Sequence, residues 1–192
     1  MDELGVAYVA VAPDFDERSI GHLFASWEPG QFALELARRK ALSVADRFAD
    51  AMVLAADQIA VLRVDGIPTL LHQPGTAANA VAQLVSMSGT THELINGVVV
   101  FDTATKQFRV GVDRHVVVMR AFGRSEAEAY VEQFAPLDCA GSYRIEDDAD
   151  LVAEVNGGDR SGVIGLPLPL VRVLLGLEAP GHDMFGNELL DT

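Results

Sequence analysis

Cysteine is almost absent from this chain. Its 192 residues include one, Cys139, so no disulfide can form within the chain, a usage that fits a reducing compartment. Basic residues are scarce too: 14 Lys and Arg stand against 28 Asp and Glu, for a formal net charge of −14. A broad nucleic-acid footprint needs clustered cations, and the sequence has no such cluster. An anionic membrane surface would repel this composition. Apolar runs stay far short of the roughly 18 consecutive residues of a membrane span. The opening Met1-Asp-Glu-Leu-Gly5 lacks the basic-then-apolar pattern of a secretory signal. There is no glycine-rich phosphate loop of the P-loop or dinucleotide kind, no internal repeat, and no Pro- or Ser-rich linker. These absences lead to the expectation of one cytoplasmic domain with neither a nucleic-acid nor a membrane partner.

What is present suits a globular core. Hydrophobic residues make up 49% of the chain and charged residues 22%, close to ordinary proportions. Val6–Ala12 is short, apolar and β-prone and predicts a first strand, ended by Pro13-Asp14; residues 19–30 read as irregular. Phe32, Leu36, Lys40, Val44 and Phe48 recur at spacings of four and predict a helix. Met52–Ala56 reads as a buried strand, apolar residues resume at Ile59–Leu62, and Val64-Asp-Gly66 predicts a hairpin turn. A helix follows over Thr76–Val85. Two long strands, Thr90–Phe101 and Gln107–Arg120, form a predicted hairpin. Ser125-Glu-Ala-Glu128 has capping-box chemistry for a helix running to about Phe134. Leu151–Val155 is a short strand, and Gly165-Leu-Pro-Leu168 opens a last helix with Pro167 in its first turn. Strands and helices alternate throughout, so the expected fold is a single α/β domain with a mixed sheet.

Three positions break these patterns, as residues serving a site often do. Lys40 falls on the apolar stripe of its helix. It is either a lysine snorkelling past the core edge or a cation turned toward a phosphate. Asp57 interrupts an apolar run, where a carboxylate must find a partner, hold a metal or stay protonated; capping the next turn is the plainer role. Asp14, Asp16 and Glu17 form an acidic loop after the first predicted strand, either a solvated turn or a magnesium site, since that ion prefers a few carboxylates completed by phosphate oxygens and water. The five histidines show no metal-ligand spacing and read as structural or exposed. Cys139 reads as a small buried residue rather than a nucleophile.

Taken in order, several segments resemble the Maf family of nucleoside triphosphate pyrophosphatases. They are Ala12-Pro-Asp-Phe-Asp-Glu17, Leu36-Ala-Arg-Arg-Lys-Ala41, Ala55-Ala-Asp-Gln58, Met87-Ser-Gly-Thr-Thr-His92 followed by Asn96-Gly97, Ser125-Glu-Ala-Glu-Ala-Tyr130, and Val163-Ile-Gly-Leu-Pro-Leu168. Asp57-Gln58, Pro136-Leu-Asp-Cys-Ala-Gly-Ser-Tyr143 and Glu146 are similar to the family's 7-methyl-GTP branch. The resemblance implies an elongated twisted sheet flanked by helices, two lobes around a cleft, and a domain over residues 1–177 with 178–192 as a loose tail. It implies hydrolysis of a nucleoside triphosphate to the monophosphate and pyrophosphate, with a divalent cation (magnesium or manganese) as cofactor, and a homodimer. Carried over by residue, Asp57 is the base or a metal ligand, Glu17 and Glu146 are metal or substrate ligands, and Lys40 contacts phosphate.

Two departures accompany the likeness. The family begins with a strand and a Ser-Pro-Arg-Arg loop, whereas Met1–Gly5 resembles the end of the helix that follows them. Without that strand, Met52–Ala56 is expected to present an open backbone edge and the chain to aggregate. The family's Gly-Lys-Pro corresponds to His72-Gln73-Pro74, so a second phosphate-facing cation has become the neutral amide of Gln73, leaving Lys40, Arg144 and the metal to offset a triphosphate. The alternative expectation is therefore a homologue that binds nucleotide, or a protein partner, without turnover.

Overall fold

The computed structural model describes residues 2–147 and 150–177. Five strands form one sheet: β1 (Met52–Val64), β2 (Ile67–Leu71), β3 (Thr91–Asp102), β4 (Phe108–Met119) and β5 (Val152–Asn156), in the order β2-β1-β3-β4-β5. Among the described residues all four ladders are antiparallel, so the sheet is antiparallel where a mixed one was expected, while helices and strands still intermix along the chain. The helices are α1 (Pro29–Ala45), α2 (Ala77–Met87), α3 (Arg124–Phe134), α4 (Arg160–Ile164) and α5 (Leu168–Leu175). The segments read as two strands, Met52–Ala56 and Ile59–Leu62, are one strand, because β3 pairs with β1 without a break from Met52 to Leu62.

Side chains of a strand alternate between the faces of its sheet, and each face is covered by different helices along its length. Ile59 and Val61 pack with Phe32, Ala33 and Leu36 of α1. Ala60 and Leu62 face the other way, into a core built from α2 and α3 with Leu94, Val117 and Met119. Farther along the same long strands, Val98 and Val100 meet Val171 and Leu174 of α5, while Val99 and Phe101 meet Ala37, Ala41 and Ala45 of α1. Two packed regions thus share one elongated sheet, as expected of lobes around a cleft.

Helix ends follow local chemistry. Pro29 occupies the first turn of α1, and the Glu28 carboxylate accepts from the Gln31 N–H at 3.1 Å, so the helix starts before Phe32. Helix α3 is capped one step away from the predicted place: Gly123 is the N-cap, its N–H donates to Glu126 at 3.2 Å, and Ser125 lies inside the helix. Residues 19–30 are less irregular than expected, with a 3-10 helix over Glu17–Ser26.

Two expectations need correction. Val6–Ala12 does not form a strand: it is largely exposed, with Val9 at 81%, and β propensity does not make a strand without a neighbour to receive its hydrogen bonds. Cys139 is half-buried rather than buried. The edge of β1 opposite β3 is paired with β2 over Ala60–Val64 alone; from Met52 to Ile59 that edge has no strand partner among the described residues. The tail expected over 178–192 lies outside them.

Candidate functional site

The site forms where β1 loses its second neighbour. Asp57 stands opposite Gly97 in the β1–β3 ladder. A Cβ at residue 97 would fall on the Ala33 carbonyl of α1, so only glycine lets the helix lie this close to the sheet. Lys40 is seven residues beyond Ala33, about two helical turns, and this brings its ammonium to the level of Asp57. Lys40 Nζ bonds Asp57 Oδ1 and lies 2.6 Å from Glu17 Oε1. Two carboxylates, from the start of a 3-10 helix and from a strand, therefore meet the ammonium of a third element, helix α1.

The acidic loop is tied down so that one of its members reaches this point. The Asp14 N–H donates to Ser43 Oγ at 3.1 Å, and Ser43 Oγ donates to the Lys40 carbonyl at 2.8 Å. The Asp16 carboxylate caps the 3-10 helix by accepting from the Arg18 N–H at 3.0 Å. Phe15 lies under the Arg39 guanidinium, 5.9 Å from its ring centroid. Asp16 is thus a structural cap, and Glu17 alone of the loop joins the cluster.

Burial governs the protonation of this cluster. Asp57 is only 7% exposed; loss of hydration pushes its carboxyl up to about 6, against the lowering effect of Lys40 and helped by the nearby Glu17. Burial also acts to lower Lys40, but Asp57 and Glu17 together outweigh it and hold the ammonium above its ordinary value. At neutral pH the Asp57 carboxylate is ionised beside the Lys40 ammonium.

A cavity of about 700 Å³ opens beside these groups, lined by Phe15, Glu17, Arg18, Asp57, Gln58 and Gln73 among others. That is within the ordinary size of a small-molecule site. Arg18 was missed in the sequence because it sits among acidic neighbours. It lines the cavity and makes no ion pair among the described residues. Gln73, expected to bind substrate, is among the cavity's lining residues.

Glu146 is not. It is exposed on the 3-10 turn Ile145–Asp147 and does not line the cavity. Its flanking residues are anchored elsewhere. The Tyr130 hydroxyl donates to Asp147 Oδ2 at 2.5 Å and accepts from the Arg144 N–H at 3.0 Å. Tyr143 Oη lies 2.9 Å from His92 Nε2, and burial pushes that imidazole down to about 4. Arg144 is likewise engaged, with Asp138 at 2.8 Å and the Phe134 carbonyl at 3.3 Å, rather than turned to the cavity.

The donor chemistry suits a hard divalent cation. Glu17 and Asp57 each offer one oxygen to Lys40, and the second oxygen of each accepts no hydrogen bond among the described residues. No group of three or more His, Cys, Asp or Glu side chains capable of holding a metal occurs among them. Two carboxylates completed by water and phosphate oxygens is the coordination magnesium tolerates well.

The fold agrees with what the family comparison shows: the Maf-like protein family matches residues 1–177, and the chain belongs to that family. Among its relatives, a protein of Hahella chejuensis named 7-methyl-GTP pyrophosphatase is 33% identical over 184 residues, covering 94% of this chain and 89% of that one. A 7-methyl-GTP pyrophosphatase of Idiomarina loihiensis is 38% identical over 170 residues, 87% of this chain and 82% of its own length. A nucleoside triphosphate pyrophosphatase of Acinetobacter baylyi is 33% identical over 169 residues, 88% and 83% of the two chains. Among the described residues, no helix is long and apolar enough to cross a membrane.

Proposed function

We propose that this chain is a nucleoside triphosphate pyrophosphatase that splits the α–β anhydride of its substrate, with 7-methyl-GTP preferred. The observation that carries the reading is the convergence of Glu17, Lys40 and Asp57 beside a nucleotide-sized cavity. The names of the relatives supply the substrate class.

In this reading Asp57 takes a proton from water as the water oxygen bonds to phosphorus and the bridging P–O bond breaks. The products are the monophosphate and pyrophosphate. A carboxyl held near 6 is ionised at neutral pH yet still basic enough to accept that proton. Lys40 offsets charge gathering on the phosphate oxygens, and Arg18 supplies a second cation from the cavity wall. A divalent cation, magnesium or manganese, held by the free oxygens of Glu17 and Asp57, supplies further positive charge when bound. Gln73 offers the phosphates a neutral donor in place of a cation.

Pyrophosphate release from 7-methyl-GTP and from the four ribonucleoside triphosphates, with magnesium and with manganese, tests the proposal. The expected result is metal-dependent release with the highest kcat/KM for 7-methyl-GTP. A second reading, nucleotide binding without turnover, is favoured by the neutral amide of Gln73 lining the cavity. Bound nucleotide with no pyrophosphate released under either metal would establish that reading instead.

A further inference from the structure

On the opposite face of the sheet from Asp57 lies a row of polar side chains that the proposed chemistry does not use. Gln58 stands opposite Asn96 in the β1–β3 ladder, and Asn96 stands opposite Asp113 in the β3–β4 ladder. Directly opposed residues share a face, so the three form one line across the sheet. His115, two residues beyond Asp113 on β4, joins the same face. Asn96 and His115 are wholly buried. Four polar groups in a core are costly unless each finds a partner, and here their bonds all run in one direction.

The direction is set by groups that can only accept. The Asp113 carboxylate Oδ2 faces Asn96 Nδ2 at 2.9 Å and His115 Nε2 at 2.6 Å. A carboxylate cannot donate, so the amide nitrogen of Asn96 must point at it, and His115 carries its proton on Nε2. The buried Nδ1 of His115 has no hydrogen-bond partner among the described residues. With its nitrogen turned to Asp113, Asn96 presents Oδ1 to Gln58 Nε2 at 3.1 Å. The carbonyls of Gly162 and Val163 accept from the same Gln58 nitrogen at 2.9 and 3.2 Å. Gly162 O also accepts from Asn96 Nδ2 at 2.8 Å. Residue 162 has to be glycine for this approach, since a Cβ there would fall on Asp113 Oδ2 and His115 Nε2.

The other end of the Gln58 amide is therefore decided. Three acceptors surround its nitrogen, while its Oε1 accepts no hydrogen bond from the described residues and Gln58 lines the cavity. We propose that Asn96, Asp113 and His115 are positioning residues that fix the polarity of the Gln58 amide, so that its carbonyl oxygen meets a hydrogen-bond donor on the bound nucleotide. The inference rests on reading the cavity as a nucleotide site. Phosphate oxygens are acceptors and would be repelled by Oε1. Within a nucleotide the remaining donors are N–H groups of the base and O–H groups of the sugar, so Gln58 marks the nucleoside end of the cavity and Lys40 the phosphate end.

Binding of nucleoside monophosphates, measured by calorimetry, tests this without requiring turnover. The probes are guanosine against inosine monophosphate, which differ by an exocyclic amino group; adenosine against purine-riboside monophosphate, which differ likewise; and each ribonucleotide against its 2′-deoxy form. The native protein is expected to disfavour at least one donor-lacking partner by roughly tenfold or more, base pairs and sugar pairs telling N–H from O–H. Gln58→Met should bring that ratio close to one. Asp113→Asn, almost the same shape but able to offer either end of its amide, should lower it severalfold with little change in the thermal melt, and His115→Gln should act in the same direction. A native protein that binds all partners equally overturns the proposal, as does a ratio that survives Asp113→Asn and His115→Gln but collapses in Gln58→Met. Discrimination that behaves as expected in a protein releasing no pyrophosphate would uphold the relay and remove the hydrolytic reading; release without any such discrimination would do the reverse.

Discussion

Asp57 and Gln58 are neighbours in sequence but belong to opposite environments. On one face, Asp57 is an ion held by Lys40 beside a cavity, with Glu17 completing the charge. On the other, Gln58 heads a row of neutral amides ending on a single carboxylate. The two arrangements solve the same problem, a polar group near the core, in different ways. The ionic face tolerates charge because it borders the cavity and because glycine at 97 lets α1 deliver a lysine. The amide face satisfies its groups through direct hydrogen bonds and bears on the site through direction rather than charge. Strand alternation lets one short stretch of β1 carry both.

The sharpest way to break the ionic face is to neutralise its base. Asp57→Asn should lower kcat/KM by about 10²–10⁴, the usual weight of a general base. Retained activity would assign the proton transfer elsewhere. Lys40→Met should cost about 10²–10³ in kcat/KM. It should also move the acid limb of the pH–rate profile upward, because Asp57 loses the ammonium that favours its ionised form; an unmoved limb would separate the two residues functionally.

Gly97→Ala tests the close approach that aligns the two faces. The added methyl meets the backbone of Ala33, and overpacking of this kind costs about 1–3 kcal/mol, read as a lower denaturant midpoint. The native protein should itself show a pH dependence. Asp57 is raised to about 6 from an ordinary 3.8, so the folded state holds a proton more tightly than the unfolded state. Its contribution to stability is therefore greatest below about 3.8 and declines as pH rises toward 6. The raised Lys40 works in the alkaline range, where its contribution fades as pH climbs past the ordinary lysine value. In activity, kcat/KM should increase tenfold per unit up to about 6 and then level off.

Much of this organisation is legible in the chain, for identifiable reasons. The paired strands β3 and β4 have long β-rich runs, and the hairpin at Asp65-Gly66 has the turn chemistry that positive φ requires. Lys40 and Asp57 stand out because each interrupts an apolar pattern, and the fold brings the two together as an ion pair. Val6–Ala12 misleads because strand propensity is local while pairing is not. Glu146 misleads because the anchors that turn it outward, Tyr130 to Asp147 and His92 to Tyr143, join positions 17 and 51 residues apart. Arg18 is hidden by composition, a cation among acids whose exposure to the cavity depends on how the loop is tied to Ser43. The row from Gln58 to His115 leaves no local trace, since its members look like unremarkable polar residues on three separate strands.

The sequence by itself determined α1, α2, α3 and α5, the hairpins, the family and the two residues whose charge conflicts with their surroundings, because those signals come from periodicity, turn chemistry and motif order within short stretches. Tertiary structure alone decided which acid of the loop reaches Lys40, that β1 has no second strand partner beside Asp57 among the described residues, and which way the Gln58 amide points. Those outcomes depend on strand register and on the distance between a helix and a sheet, quantities that exist only once distant segments have packed.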